Sequence, residues 1–206
     1  LLSSSNSYTA EEKKLMSIVL KEIDRLNNLI SEFLDYVRPQ ARIEDPVNLN
    51  SLLQEILDFV ANSKSLPPMV KQEISLASGR SIFGHRDKLK QALLNIVINA
   101  YQSMDKSSTR VLRVSTRDLD LEQKVQVRIE DLGCGMDAAN RNRMFEPFHT
   151  TKPGGTGLGL AIAHKILDSH GATIAVESEV GKGTNIVIEF RSPDRDKSPP
   201  PKRHIA

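Results

Sequence analysis

Asn95 and Asn99 lie four residues apart in Gln91–Ala100, a segment otherwise almost wholly apolar. That spacing puts both amides on one face of a helix. Neutral amides on a buried stripe are costly unless each finds partners. Backbone groups in the core are one possible set of partners. A hydrated Mg²⁺ with phosphates is the other, because Mg²⁺ is a hard ion that takes oxygen ligands and keeps several waters. A second group is Asp131-Leu132-Gly133-Cys134-Gly135-Met136, directly after the run VQVRIE. Its glycines permit a chain reversal and close approach of a flat ligand. A carboxylate there can accept a hydrogen bond from an exocyclic amine such as that of adenine. A simple turn fits the same residues.

The third group is Gly154-Gly155-Thr156-Gly157-Leu158-Gly159-Leu160, running straight into a helical pattern. Bare backbone N–H groups and a helix N-terminus together make an anion cradle. Thr156 can add a hydroxyl. Two other phosphate motifs fail. A P-loop requires Gly-Lys-Ser/Thr after its spacer, whereas Gly79 and Gly84 have the spacing but His85 follows. A dinucleotide fingerprint requires a strand just before the glycines, and Phe145–Pro153 reads as a loop.

The elements that position these groups follow from periodicity. Thr9 and Glu12 have capping-box spacing, which starts a helix that runs to Arg38 before Pro39. Met16, Val19, Ile23, Leu26, Ile30, Phe33 and Val37 alternate spacings of three and four along it, a heptad seam. Leu15, Ile18, Leu29 and Leu34 widen that face toward a helical bundle. A helix packed on its own domain fits the same pattern. Further helices are predicted over 48–62, 85–104 and 158–170, the last ended by Gly171. Strands are predicted over 70–76, 80–83, 111–117, 124–130, 172–178 and 184–190, the last two joined by the turn EVGKG. This order predicts an α/β fold, a two-layer α/β sandwich with a mixed sheet, preceded by a long helix. The expected organisation is a partial helical domain over 1–38, a linker over 39–47, a larger α/β domain over 48–191 and a disordered Pro-rich, charged tail over 192–206.

Bulk properties narrow the function. The net charge of +2 over 206 residues argues for neither nucleic acid nor an anionic membrane as partner. No apolar run approaches the roughly 20 residues that span a bilayer. Cys134 is the single cysteine, so no internal disulfide forms and a reducing compartment fits. The chain begins with Leu1, which predicts a longer parent protein.

Taken in order, the three groups resemble the N, G1 and G2 boxes of the GHKL ATP-binding fold. Phe145-Glu146-Pro147-Phe148 resembles its F box, and Gly181-Lys182-Gly183-Thr184 its last glycine turn. The segment Arg25-Leu26-Asn27-Asn28-Leu29-Ile30, then Phe33-Leu34-Asp35-Tyr36, resembles the second helix of a histidine kinase dimerisation domain. The lid Phe148-His149-Thr150-Thr151-Lys152 is similar to that of NtrB-like kinases, with His149 where Phe is usual.

The resemblance implies ATP and Mg²⁺ as ligands. Asn99 would be the Mg²⁺ ligand, with Asn95 beside it on the phosphate side. Asp131 would read adenine, with Gly133 and Gly135 shaping the pocket and Thr184 contributing from the last glycine turn. Gly155, Thr156, Gly157, Leu158 and Gly159 would form the phosphate-side loop, and Lys152 would reach the γ-phosphate from the lid. Asn95 and Lys152 are thus the catalytic candidates; a solvated loop lysine also fits Lys152. ATPases of the fold place a Glu at Asn95 as general base, and an amide has no useful basicity at neutral pH. Slow hydrolysis is therefore expected.

The implied activity is that of a sensor histidine kinase passing phosphate to a response-regulator receiver domain, in a parent that forms a homodimer through the first helix. The implied placement is cytoplasmic, with inner-membrane anchoring of the parent open. None of the five histidines (His85, His149, His164, His170 and His204) is followed by Glu or Asp, so the acceptor is expected upstream. A nucleotide-binding interaction module without kinase activity, and a serine kinase of the anti-sigma type, also fit the ATP site.

Overall fold

The computed structural model describes residues 9–37, 45–63, 66–105, 107–152 and 155–192. Most of the expected linker (39–44), Gly154 and the tail from Pro193 lie outside the described residues, as do the side chains of Leu29 and Val37. The chain divides into two units, Leu1–Arg38 and Pro39–Ala206.

Helix α1, Ala10–Val37, makes up the first unit. Its capping box forms as the spacing predicts: Thr9 N–H donates to Glu12 Oε2 at 2.8 Å, and Glu12 N–H donates to Thr9 Oγ1 at 3.2 Å. Those bonds satisfy donors that a helix start leaves unpaired. The seam residues Met16, Val19, Ile23, Leu26, Ile30 and Phe33 stay 44–53% exposed.

The second unit is built on a five-stranded mixed sheet of order β2-β4-β5-β7-β6. Its strands are β2 (Lys71–Leu76), β4 (Val111–Leu119), β5 (Lys124–Asp131), β6 (Thr173–Glu179) and β7 (Gly183–Arg191). Only β2 and β4 pair in parallel; the other neighbours are antiparallel. Strand alternation sorts the two faces. Leu112, Val114, Val125, Val127, Ile129, Ile186, Ile188 and Phe190 are buried on one face. On the other, Arg113 bridges Glu73 and Glu130, and Lys124 bridges Glu122 and Glu189.

Helices cover the apolar face. These are α2 (Leu49–Ala61), α3 (Arg86–Ser103) and α5 (Gly159–Ser169). In α2, Leu49, Leu52, Leu53, Ile56, Leu57 and Val60 repeat at helical spacing and are all buried. Asn48 caps it by accepting from Ser51 N–H at 3.0 Å, a contact worth about 1 kcal/mol. The centre of the core is α3, through Leu89, Leu93, Ile96 and Val97. Gly171 ends α5 as predicted, in the left-handed region with φ +66°.

Two local expectations are corrected. Asp45–Val47, expected as the end of a linker, forms β1 and pairs antiparallel with β3 (Ile82–Gly84). Three residues with a central Pro46 carry no readable alternation, yet proline is tolerated in such an edge strand. Between the strand predicted to end at 130 and the helix predicted from 158, where no regular element is expected, Ala138–Arg143 forms α4. It has no apolar face for periodicity to detect; its start is held by Asp137, which accepts from Asn140 N–H at 2.7 Å.

Candidate functional site

Helix α3 carries a polar stripe beside its buried apolar row. Asn95, Asn99, Gln102 and Ser103 stand at positions i, i+4, i+7 and i+8, which share one helical face. Their partners come from three other segments of the chain. Asn95 Nδ2 donates to the Gly159 carbonyl at 2.9 Å, tying α3 to the start of α5. The side-chain oxygens of Asn99 and Gln102 both accept from the Lys152 ammonium, the latter at 2.9 Å. Ser103 Oγ lies 2.7 Å from Asp131 Oδ1. The stripe spans about 12 Å at the helical rise, a distance comparable to that from the base to the terminal phosphate of a nucleoside triphosphate.

Asp131 ends β5 and is only 5% exposed. Burial raises its carboxyl pKa, opposed by hydrogen bonds from Ser103, from the Gly133 and Thr184 backbones, and by the charge of Lys152. The Gly133 N–H bond is 2.9 Å. A carboxylate offers roughly four acceptor positions, so these three donors leave room for a fourth. Glycine is required at Gly133, where a Cβ would overlap Ser103 Oγ. The same holds at Gly183, where φ is +99° and a Cβ would overlap the Asp131 carbonyl. Gly181 N–H donates to Cys134 O at 2.8 Å, so the two glycine turns are joined beside Asp131, with Gly135 in the same loop. Thr184 sits directly opposite Asp131 in the β5–β7 register.

The third wall is the segment around Gly155–Gly159. Leu158 is fully buried and precedes α5, whose first turn has no side-chain cap. Its leading N–H groups are thus the unpaired donors expected of a helix start. The Thr156 hydroxyl lies 3.4 Å from Leu158 N. Gly157 O accepts from Phe148 N–H at 3.1 Å, and Gly155 N–H donates to Lys152 O at 3.1 Å. The lid is therefore folded onto the glycine loop. Lys152 is not a solvated loop lysine here: burial lowers its pKa, opposed by Cys134 and Asp131. Phe145 packs on His164 of α5 with ring centroids 4.8 Å apart.

Asn95 and Asn99 share one face of α3, as their spacing predicts, and Lys152 and Asp131 lie against that face. Gln102 and Ser103 were not among the sequence candidates. Their signal was available, since seven and eight residues beyond Asn95 fall on the same face. Among the described residues, no cluster of three or more His, Cys, Asp or Glu could hold a metal, and no helix is long and apolar enough to cross a membrane.

Residues 84–194, more than half of the chain, match the histidine kinase-, DNA gyrase B-, and HSP90-like ATPase family. The chain belongs to that family. Within it, the signal transduction histidine-protein kinase AtoS of Escherichia coli K12 is 37% identical over 85% of this chain. The sensor histidine kinase ZraS of the same organism is 34% identical over 86% of it. The chain spans only 28% of AtoS and 37% of ZraS. The structure of full-length ShkA in complex with AMPPNP superposes with a TM-score of 0.73 at 24% identity, over 91% of this chain and 40% of that one. The fold is that of the family's histidine kinase catalytic domains, a two-layer sandwich with a mixed sheet.

Proposed function

We propose that this chain is the ATP-binding catalytic domain of a sensor histidine kinase. ATP would lie along α3, with its base at Asp131 and its phosphates between Asn99, Lys152 and the Gly155–Gly159 loop. The observation that carries this reading is the polar stripe of α3, whose successive residues meet Asp131, Lys152 and Gly159. Asp131 accepts from the exocyclic amine of adenine, while Gly133, Gly135 and Thr184 shape the floor around the base. The N-terminus of α5 and Thr156 face negative charge, which helix starts favour.

Mg²⁺ fits the site. Two amide oxygens, of Asn99 and Gln102, already converge on a positive group, the Lys152 ammonium. Few protein ligands plus phosphates and water is the coordination that Mg²⁺ prefers. Asn99 would hold the ion, which supplies charge neutralisation on the phosphates.

Asn95 orients rather than activates. Its amide is bound to Gly159 O and has no basicity with which to deprotonate water. Positioning and charge neutralisation suffice for phosphoryl transfer. Lys152 places positive charge at the γ-phosphoryl group as the bond to the ADP oxygen breaks and a bond to an imidazole nitrogen forms. That imidazole belongs to a histidine on a separate helix, and the phosphoryl group then passes to an aspartate of a response-regulator receiver domain. The parent dimerises through α1 and works in the cytoplasm.

Titration with a non-hydrolysable ATP analogue tests the site. Asp131→Ala and Asn99→Ala should each weaken binding tenfold or more; wild-type affinity in both would place the site elsewhere. Mixing the chain with a helical hairpin bearing the acceptor histidine of its own parent tests the reaction. Acid-labile phosphate on the hairpin is the expected product, and nucleotide binding without any transfer would leave a binding module only.

A further inference from the structure

Ser103 is the last residue of α3 and contacts the Asp131 loop twice. Its hydroxyl lies 2.7 Å from Asp131 Oδ1, and its carbonyl accepts from Cys134 N–H at 3.0 Å. The loop is shaped around it, since any side chain at Gly133 would overlap the Ser103 hydroxyl. Ala100 O also lies 2.7 Å from that hydroxyl, which has a single proton to give. Bonds to a charged acceptor are the stronger, and Gly133 N–H, a donor that cannot reverse, already addresses the same carboxylate oxygen. The carboxylate is therefore held in its accepting form.

We propose that Ser103 is a positioning residue that sets the nucleotide base preference of the site by holding Asp131 as a pure acceptor. The inference rests on the proposed reading of Asp131 as the adenine-binding carboxylate. An accepting carboxylate matches the 6-amino donor of adenine and opposes the 6-oxo acceptor of hypoxanthine. Without the serine proton, a carboxyl group buried in this way takes up its own proton more readily. It then gains a donor and can tolerate the 6-oxo group.

The experiment compares non-hydrolysable analogues of ATP and of inosine triphosphate by calorimetric titration of the whole chain with Mg²⁺. Ser103→Ala should lose about tenfold in ATP-analogue affinity and most of the preference for adenine over hypoxanthine. Ser103→Cys, close in shape but a weak donor, should behave like Ser103→Ala. Ser103→Thr, which keeps the hydroxyl, should restore the preference. Equal losses for the two bases in Ser103→Ala and Ser103→Cys would reduce Ser103 to a packing residue and overturn the proposal. So would unchanged binding in those variants while Asp131→Asn abolishes it, a result that leaves the ATP-site reading standing. Wild-type binding by Asp131→Asn would remove both.

Discussion

The Lys152 ammonium donates to Asn99 Oδ1 although 53 residues separate the two in the chain. The oxygen proposed for Mg²⁺ is thus the one that a lid residue already holds. Two positive centres on one oxygen repel each other strongly in a partly buried site. Lys152→Ala should therefore lower the Mg²⁺ concentration that half-saturates binding of an ATP analogue, by severalfold. Titrations at a series of Mg²⁺ concentrations give this directly. An unchanged half-saturation point would mean that the lysine does not sit on this oxygen in solution.

Asn95 joins α3 to the first residue of α5 through Gly159 O. Removing one partner of a half-buried hydrogen bond costs about 1 kcal/mol. For a chain of this size that lowers the melting temperature by about 2–4 °C. Asn95→Ala should show that shift by calorimetry without nucleotide. No shift at all would mean that the bond carries no net stability.

His170 predicts an acid limb in the stability profile. Its Nε2 accepts from His85 N–H at 3.0 Å, and its Nδ1 lies 2.7 Å from Ile166 O. A ring that accepts at one nitrogen and donates at the other is neutral. Burial lowers its pKa, the Ile166 bond opposes this, and His85 adds to the lowering. Below the unfolded value of about 6.5, the unfolded chain therefore binds more protons than the folded one. Stability from this group is complete above that value and is lost as pH falls through the depressed folded pKa. His170→Gln should flatten the melting-temperature profile below about pH 6.5. Asp131, with its raised pKa, contributes in the opposite sense, so a slope that survives in His170→Gln would assign the acid limb to other groups.

The α1 seam gives a prediction about assembly. Met16, Val19, Ile23, Leu26, Ile30 and Phe33 form an apolar row about half exposed in the single chain. Burying a Leu or Ile side chain is worth roughly 1.5–3 kcal/mol, enough for a few such contacts to hold a dimer. Sedimentation should show self-association that Leu26→Glu with Ile30→Glu abolishes, while nucleotide affinity is retained. A monomer at high concentration with a fully exchange-protected α1 would show that the seam packs within its own chain.

Much of the fold was legible because its long elements are strongly periodic. The buried row of α2 and the alternation along β5 and β7 leave little choice of structure. The short pieces β1 and α4 carry no such pattern and were missed. Asn95 and Asn99 stood out as amides in an apolar run. Gln102 and Ser103, beyond the apolar run of the same helix, lack that contrast. Their roles depend on Lys152 and Asp131, partners that only the tertiary structure brings near. The hydrogen bond from Asn95 to Gly159 O gives that amide the backbone partner that is one of the two readings of the stripe, while the ligand contact is proposed for Asn99.

Because one continuous helix carries Asn95, Asn99, Gln102 and Ser103, the site should tolerate substitution far better than insertion or deletion. One residue added within α3 turns everything beyond it by about 100°. Inserted just after Asn95, it would carry Asn99 off Lys152 and Ser103 off Asp131 in a single step, and would rotate part of the buried row out of the core. Length variation between relatives should therefore collect in the connections, such as the segment between α3 and β4, and α3 itself should keep a constant residue count wherever the same ligand is bound.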